Sequence, residues 1–286
     1  MESGAVKQKM NDTEFIVKEY PNHIYSLSTP LWMKRERKGG AIMQTWLVAG
    51  SKAVFAIDSP FPQIPGFRAY IEKMFRLPVI MLNTHGHVDH IGCNGQFEKV
   101  YLAKEDWTLA AGGGIQRSED ENAWERLGYE VADIPDSFRI TLGNRELTAY
   151  HLPGHTKGCV VLYEEATSTL FGGDAVARRV LYGMSDWTPL EDYLEKMREI
   201  AKLKIAFLYS MHDDFALLND MPDRIISHIE KNLERTEMIW ESPVDARKFK
   251  RILLGENEED LTYFDFVFPL KGTAGIPNER QEKGLH

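Results

Sequence analysis

Four residues within six positions carry the densest chemistry in the chain: His85, His87, Asp89 and His90, spaced H-x-H-x-D-H. Imidazole and carboxylate together suit Zn, Fe or Mn, whereas a thiolate-preferring site would need cysteine. Alternate side chains of an extended segment project the same way, so His85 and His87 can reach one ion while Asp89 and His90, beyond a turn, reach another. A structural zinc site is closed by four Cys or His ligands at short paired spacings, and this is a different pattern. Histidines in a β-rich chain are ordinarily core or surface residues, but three of them with an aspartate in so short a run are not explained that way.

A pair of divalent ions about 3.5 to 4 Å apart would account for so many acids and histidines gathered in one place. Between two cations a water loses its proton near neutral pH and becomes the nucleophile, while the cations polarise a carbonyl or phosphoryl oxygen and stabilise the leaving group. Gly172-Gly173 would let the backbone pass close to the ions. His151 reads as a core or supporting residue, His23 as part of an early strand and His228 as a surface residue of a helix. The only cysteines, Cys93 and Cys159, exclude a disulfide framework and read as small buried hydrophobes. Phosphate-binding glycine loops, a G-x-S-x-G elbow and C-x-x-C are all missing from the sequence, so no nucleotide cradle or serine nucleophile competes.

The elements that must position these residues are legible as runs. From Phe15 to Asp58 the chain reads as a meander of strands broken by turn residues, with Asp58 ending one strand. Pro65 to Arg76 has helical apolar spacing, and Pro78 to Leu82 is a short apolar strand that leads straight into NTHGHVDH. The motif therefore sits at the C-terminal end of a buried strand, the usual place for ligands in open α/β sheets. A strand near Lys99 to Leu102 and a helix from about Lys104 come next, and residues 112–135 read as an excursion over the site, a lid. A second β-rich block covers Ser137 to Phe171, followed by a helix over Pro189 to Lys202, a strand at Ala206 to Tyr209 and a long helix over Pro222 to Trp240. Strands then helices, twice over, predict an α/β protein with two sheets face to face and helices outside. Residues 1–241 are expected to form the hydrolase domain, with 242–286 an extension packed on or beside it that holds one strand, in TYFDFVFPLKG.

Composition narrows the partners. With 286 residues, 43% of them hydrophobic, the chain can bury a large core, and its net charge of -9 gives no basic surface for nucleic acid. Met1 to Thr13 is polar, and no run of about 18 apolar residues occurs, so no membrane partner is expected and the compartment is expected to be the cytoplasm. A small-molecule substrate is the expected partner, and a homodimer stays open.

NTHGHVDHIG resembles the signature of the metallo-β-lactamase superfamily, and LPGHTKG with His155, FGGDAV with Asp174 and LYSMHDD with His212 match later pieces in order, so that the resemblance spans about Ile24 to His212 and His155 and Asp174 are more than turn residues beside glycine. It implies an αβ/βα four-layer sandwich of two mixed β-sheets flanked by helices. It also implies that His85, His87 and His155 bind one metal, Asp89, His90 and His212 the second, and that Asp174 bridges them. Zn is the expected ion, with Fe or Mn as alternatives, and Asp89 is expected to have a catalytic part as well, orienting the hydroxide or carrying its proton. One departure is Met211, where relatives usually have glycine before the last histidine. An aspartate at the bridging position argues against β-lactam opening as the main activity, and neither a flavin domain nor the glutamate of flavin-linked di-iron relatives is seen. The remaining group resembles glyoxalase II, acyl-homoserine lactonases, acyl thioesterases and small phosphodiesterases. Cleavage of a thioester, ester or lactone is the first expectation, with a phosphodiesterase or a non-hydrolytic di-iron redox or sensor protein as alternatives. Arg178, Tyr182 and Trp187, close after Asp174, are expected to contact substrate, with Trp32, Trp124 and Tyr129 as similar candidates from the lid side.

Overall fold

The computed structural model describes residues 6–10, 13–33, 42–183, 188–242, 246–255 and 260–270. The first half holds β1 (Val6–Met10), β2 (Thr13–Tyr20), β3 (Ile24–Ser28), β4 (Thr45–Ala49), β5 (Val54–Ile57), α1 (Phe67–Phe75), β6 (Val79–Leu82), α2 (Val88–Ile91), β7 (Lys99–Tyr101), α3 (Trp107–Ala111) and β8 (Glu130–Ala132). Its eight strands lie side by side in chain order. Pairing is antiparallel from β1 to β5 and parallel from β5 to β8. The change falls where the connections begin to contain helices, because a parallel neighbour can be reached only by a crossover.

The second half holds β9 (Arg139–Thr141), β10 (Glu146–His151), β11 (Val160–Glu164), β12 (Thr169–Phe171), β13 (Arg179–Leu181), α4 (Leu190–Ile200), β14 (Phe207–Tyr209), α5 (Met221–Asn232), β15 (Ile239–Glu241), β16 (Lys248–Leu254) and β17 (Phe264–Pro269). A five-stranded sheet runs β14-β12-β11-β10-β9, with only the β12–β14 pair parallel.

Strand alternation builds the layers. Trp46, Val48, Phe55 and Ile57 of the first sheet meet Leu147, Ala149, Val160 and Leu162 of the second in one buried cluster between the sheets. Their neighbours Leu47, Val54 and Ala56 turn the other way and pack with Phe67, Tyr70 and Ile71 of α1. On the far side, Val161 and Leu170 pack with Tyr193 and Met197 of α4 and Ile225 and Ile229 of α5. Helix, sheet, sheet, helix is the order expected of the four-layer α/β sandwich.

Two features differ from the sequence reading. A third sheet, β13-β17-β16-β15, joins the chain after Asp174 to the C-terminal strands: β17 pairs with β13 and β16 with β15. The long helix predicted to reach Trp240 stops at Asn232. Trp240 lies instead in β15, opposite Phe249 of β16 with their rings 5.9 Å apart, so strand pairing takes up backbone groups that the helix would have used. Among the described residues no helix is long and apolar enough to cross a membrane.

Candidate metal centre

Four loops converge at one end of the sandwich, each leaving the C-terminal end of a strand. His85 and His87 follow β6, His155 follows β10, Asp174 follows β12 and His212 follows β14, while Asp89 and His90 stand on the one-turn helix α2. Main-chain bonds tie the two halves together here, for the Val160 N–H donates to the Thr84 carbonyl at 2.9 Å.

Three imidazoles meet nitrogen to nitrogen. His87 Nδ1 lies 3.0 Å from His85 Nε2 and 2.8 Å from His155 Nε2. His85 is held neutral, well below the ordinary imidazole range, by burial and by the surrounding histidines His90, His155 and His87. Burial and His155 push His87 down to about 3. Neutral rings with nitrogens converging on one point suit a cation better than one another's protons.

Beside them, Asp89, His90 and His212 gather their donor atoms, and Asp174 lies between the two groups. Its Oδ2 is 3.6 Å from His155 Nε2 and 3.3 Å from His212 Nε2, and its Oδ1 is 3.5 Å from His90 Nε2. Among the described residues, His90 Nε2 and Asp174 Oδ1 are buried with no hydrogen-bond partner. Buried polar atoms left unpaired ask for an explanation, and a divalent ion supplies one here. In this half the charges run the other way. Burial opposes ionisation of His90, but Asp58, Asp174 and Asp89 outweigh it and raise the ring well above its usual range. For His212 burial is likewise outweighed, by Asp174 and Asp89, which bring it up to about 9. Asp174 sits well below the carboxylate range and Asp89 is also lowered, in both cases because nearby imidazolium charge, from His212 and His90, exceeds the cost of burial.

The outward ring nitrogens are anchored. His90 Nδ1 faces Asp58 Oδ2 at 3.0 Å, His155 Nδ1 meets the Leu181 carbonyl and His212 Nδ1 the Ile42 carbonyl, both at 2.8 Å. Such partners fix which nitrogen points inward and how the ring is turned. Asp58 also accepts from the Thr84 backbone at 2.7 Å and the Thr84 hydroxyl at 2.8 Å, and it adopts a left-handed φ of 62°. The sequence reading noted Asp58 as a strand end without giving it a part. The signal was there in retrospect, a carboxylate closing a buried strand at the end of the sheet where the histidines gather.

Other expectations are corrected. Gly172 and Gly173, beside Asp174, also make room for protein, which their sequence reading did not include: a Cβ at Gly172 would lie 2.3 Å from the Val176 carbonyl, and one at Gly173, whose φ is 51°, would lie 2.8 Å from the Thr84 hydroxyl. Arg178 is not placed to hold a substrate, since its guanidinium is buried against Asp213, donates to the Asp260 carbonyl and lies over the Phe215 ring. Tyr182 is a core residue, fully buried with its hydroxyl donating to the Thr188 carbonyl. Trp187 lies outside the described residues. Trp32 is buried beneath the loops, its indole N–H donating to the Pro62 carbonyl at 3.1 Å. In the 112–135 excursion Trp124 rests on Trp107 with ring centres 4.5 Å apart, and Tyr129 packs into the core. Cys93 and Cys159 are buried free thiols, as read from the sequence.

The arrangement can now be set beside known proteins. Residues 76–212, which contain every one of these donors, match the model of the Metallo-beta-lactamase superfamily. Over that stretch, a little under half of its length, the chain is similar to the metallo-β-lactamase superfamily. Among curated members, it is 26% identical over 212 residues to the human acyl-coenzyme A thioesterase MBLAC2, covering 62% of this chain and 75% of that one. It is 34% identical over 153 residues to a hydroxyacylglutathione hydrolase of Synechocystis, covering 50% of this chain and 55% of the relative. A solved metallo-β-lactamase family protein from Thermus thermophilus superposes with a TM-score of 0.51 at 22% identity, over 69% of this chain and 79% of that one, which shows the shared fold. The similarity to that superfamily and the His/Asp clusters together point to divalent metal binding.

Proposed function

We propose that this metallo-β-lactamase-fold hydrolase cleaves a small-molecule thioester with two divalent ions, zinc foremost. His85, His87 and His155 would hold one, Asp89, His90 and His212 the other, and Asp174 would bridge them. The observation that carries the reading is the place of Asp174, within 3.6 Å of nitrogens from both groups and with one buried oxygen otherwise unpartnered. When bound, such ions acidify a water and draw electron density from a scissile carbonyl.

The protein's own residues would do the rest. Asp89 keeps its charge because His90 and His212 face it, and with a third of its side chain exposed it stands on the open side of the centre. There it would orient the attacking water and carry a proton toward the departing sulfur. His85 and His90 are fully buried, so substrate would approach from the side of Asp89 and His212. Thioester is preferred to lactone or phosphodiester because the curated relatives named above act on thioesters by their names. Two exposed apolar side chains agree with an acyl group. Phe61 follows Pro60, whose carbonyl is packed on Gly92, and Ile115 follows Gly114, whose carbonyl accepts the Val88 N–H.

The test is metal content by mass spectrometry for wild type, Asp174→Ala and His155→Ala, followed by turnover of acyl thioesters, lactones and a phosphodiester. About two equivalents in wild type, fewer in both variants, and thioester turnover above the other classes are expected. A reconstituted wild type holding well under one equivalent would overturn the reading, and phosphodiester turnover above thioester turnover would replace its substrate.

A further inference from the structure

Asp106 is wholly buried at the end of the short turn after β7, on the sheet end that carries the histidines, yet it binds no ion in the reading above. It occupies the N-cap position of α3, where an aspartate ordinarily accepts from the first N–H groups of its own helix. No such bond is made. Its carboxylate is turned instead to two distant loops. Oδ2 accepts from the Gly86 N–H at 2.9 Å and the Thr156 hydroxyl at 2.6 Å, and Oδ1 accepts from the Gly158 N–H at 3.1 Å and Arg117 at 2.9 Å. Gly86 lies between His85 and His87, and Thr156 and Gly158 flank the turn that carries His155. Both glycines leave the space that this side chain fills, for a Cβ at Gly86 would lie 3.0 Å from Asp106 Cβ and one at Gly158 would lie 2.6 Å from its Cγ.

We propose that Asp106 is the positioning residue of the three-histidine pocket: a buried carboxylate that clamps the His85–His87 loop to the His155 loop and so sets the affinity of that pocket for its ion. The proposal rests on the two-ion reading. The physical reason is acceptor number. A carboxylate has about four lone-pair sites, and donors from both loops meet this one. An isosteric amide keeps the shape but turns an NH2 group toward donors, so one loop must let go. The pocket's three nitrogens come from the two loops so joined, and a small shift between the loops separates them. Arg117, which also bonds the Glu105 carbonyl and the Thr108 hydroxyl, screens the buried charge from the side of α3.

The experiment is Co2+ titration of metal-free wild type, Asp106→Asn, Thr156→Val and Arg117→Ala, read by visible absorption, with thermal melts of each metal-free protein. Supporting partners of metal ligands are typically worth roughly 10- to 100-fold in affinity. Asp106→Asn is expected to weaken the three-histidine pocket by that factor while the Asp89/His90/His212 pocket, measured in a His155→Ala background, changes by less than about threefold. Thr156→Val, which removes one donor, should fall between wild type and Asp106→Asn, and Arg117→Ala should stay near wild type. A folded Asp106→Asn that binds Co2+ as wild type does overturns the proposal. Equal weakening of both pockets overturns it as well. If Asp106→Asn does not fold, Thr156→Val decides, and an unchanged affinity there is the overturning result. A wild type with no Co2+ spectrum fails the two-ion reading itself, which separates the two failures.

Discussion

Loading the two pockets with metal should release more protons from one of them than from the other. A metal ligand must be free of its proton, so affinity carries the cost of removing it. Burial is outweighed at His212 by Asp174 and Asp89, which bring it up to about 9, so at pH 7 most metal-free molecules carry that proton and removing it costs about 3 kcal/mol. His90, also raised, adds to this, while Asp89 and Asp174 are lowered and already ionised. The Asp89/His90/His212 pocket should therefore release between about one and two protons at pH 7 and lose about 10- to 100-fold in affinity for each pH unit below about 9. His85 and His87 are neutral already and contribute no proton to the other pocket. Calorimetric titration in Tris and in phosphate, whose ionisation enthalpies differ, counts the protons, and His155→Ala and His212→Ala isolate each pocket. Equal release from both pockets, or none from the Asp89/His90/His212 pocket, would refute the assignment of charge made here.

Metal-free protein should be most stable near pH 6.5. The raised His212 lends stability that is complete below its unfolded pKa and lost as pH rises through about 9; for the depressed His87 stability is complete above its unfolded pKa and lost as pH falls toward about 3. Melting temperature against pH checks this, and a flat profile from pH 5 to 9 contradicts it. Asp58→Asn should weaken the Asp89/His90/His212 pocket by roughly 10- to 100-fold, since it disturbs the partner of His90 Nδ1, and the Co2+ spectrum reads the loss. Phe61→Ala and Ile115→Ser should each raise KM for a long-chain acyl thioester about fivefold, on the order of 1 kcal/mol of lost apolar contact, and leave an acetyl thioester near its wild-type KM. Arg178→Gln should cost about 3 kcal/mol of stability by leaving Asp213 buried without its partner, as chemical denaturation would show, while KM of the folded protein stays unchanged.

How much of this was written in the sequence depends on how far each interaction reaches along the chain. His85, His87, Asp89 and His90 are neighbours in sequence and in space, so their spacing alone announced a metal site. His155, Asp174 and His212 became legible because their segments follow the motif in the order of the family that it resembles. Asp58 and Asp106 stayed silent, for their partners are 26 residues away at Thr84 and 50 away at Thr156, and nothing local marks such a pairing. Arg178 and Tyr182 show the opposite error. They follow Asp174 closely in sequence, but β13 carries them into the third sheet, where Arg178 meets Asp213 and Tyr182 packs against Phe266. That sheet was itself hard to foresee. In KFKRILL the buried residues are Phe249 and Ile252, three apart, a spacing that does not alternate as a half-buried strand should.

The third sheet has a bearing on the site beyond its own packing. His155 Nδ1 bonds the carbonyl of Leu181, the last residue of β13, and β13 is held by β17, where Val180 is opposite Phe266. The C-terminal strands therefore reach the three-histidine pocket through β13 and the bonds that leave its end, the Leu181 carbonyl to His155 Nδ1 and the Gly183 N–H to the Gly154 carbonyl. The other pocket takes its corresponding support from Ile42, ahead of β4, and from Asp58, after β5, both in the first half of the chain. The three-histidine pocket thus leans on the third sheet as well as on the first, which carries His85, His87 and Asp106, and damage to the third sheet should be felt first at its ion. A chain shortened before β16 removes the partner of β13 and should weaken the three-histidine pocket first. Metal titration of that shortened protein, with circular dichroism to establish that the two facing sheets persist, distinguishes this order of loss from a simultaneous loss of both ions, which would mean that the pockets share one support.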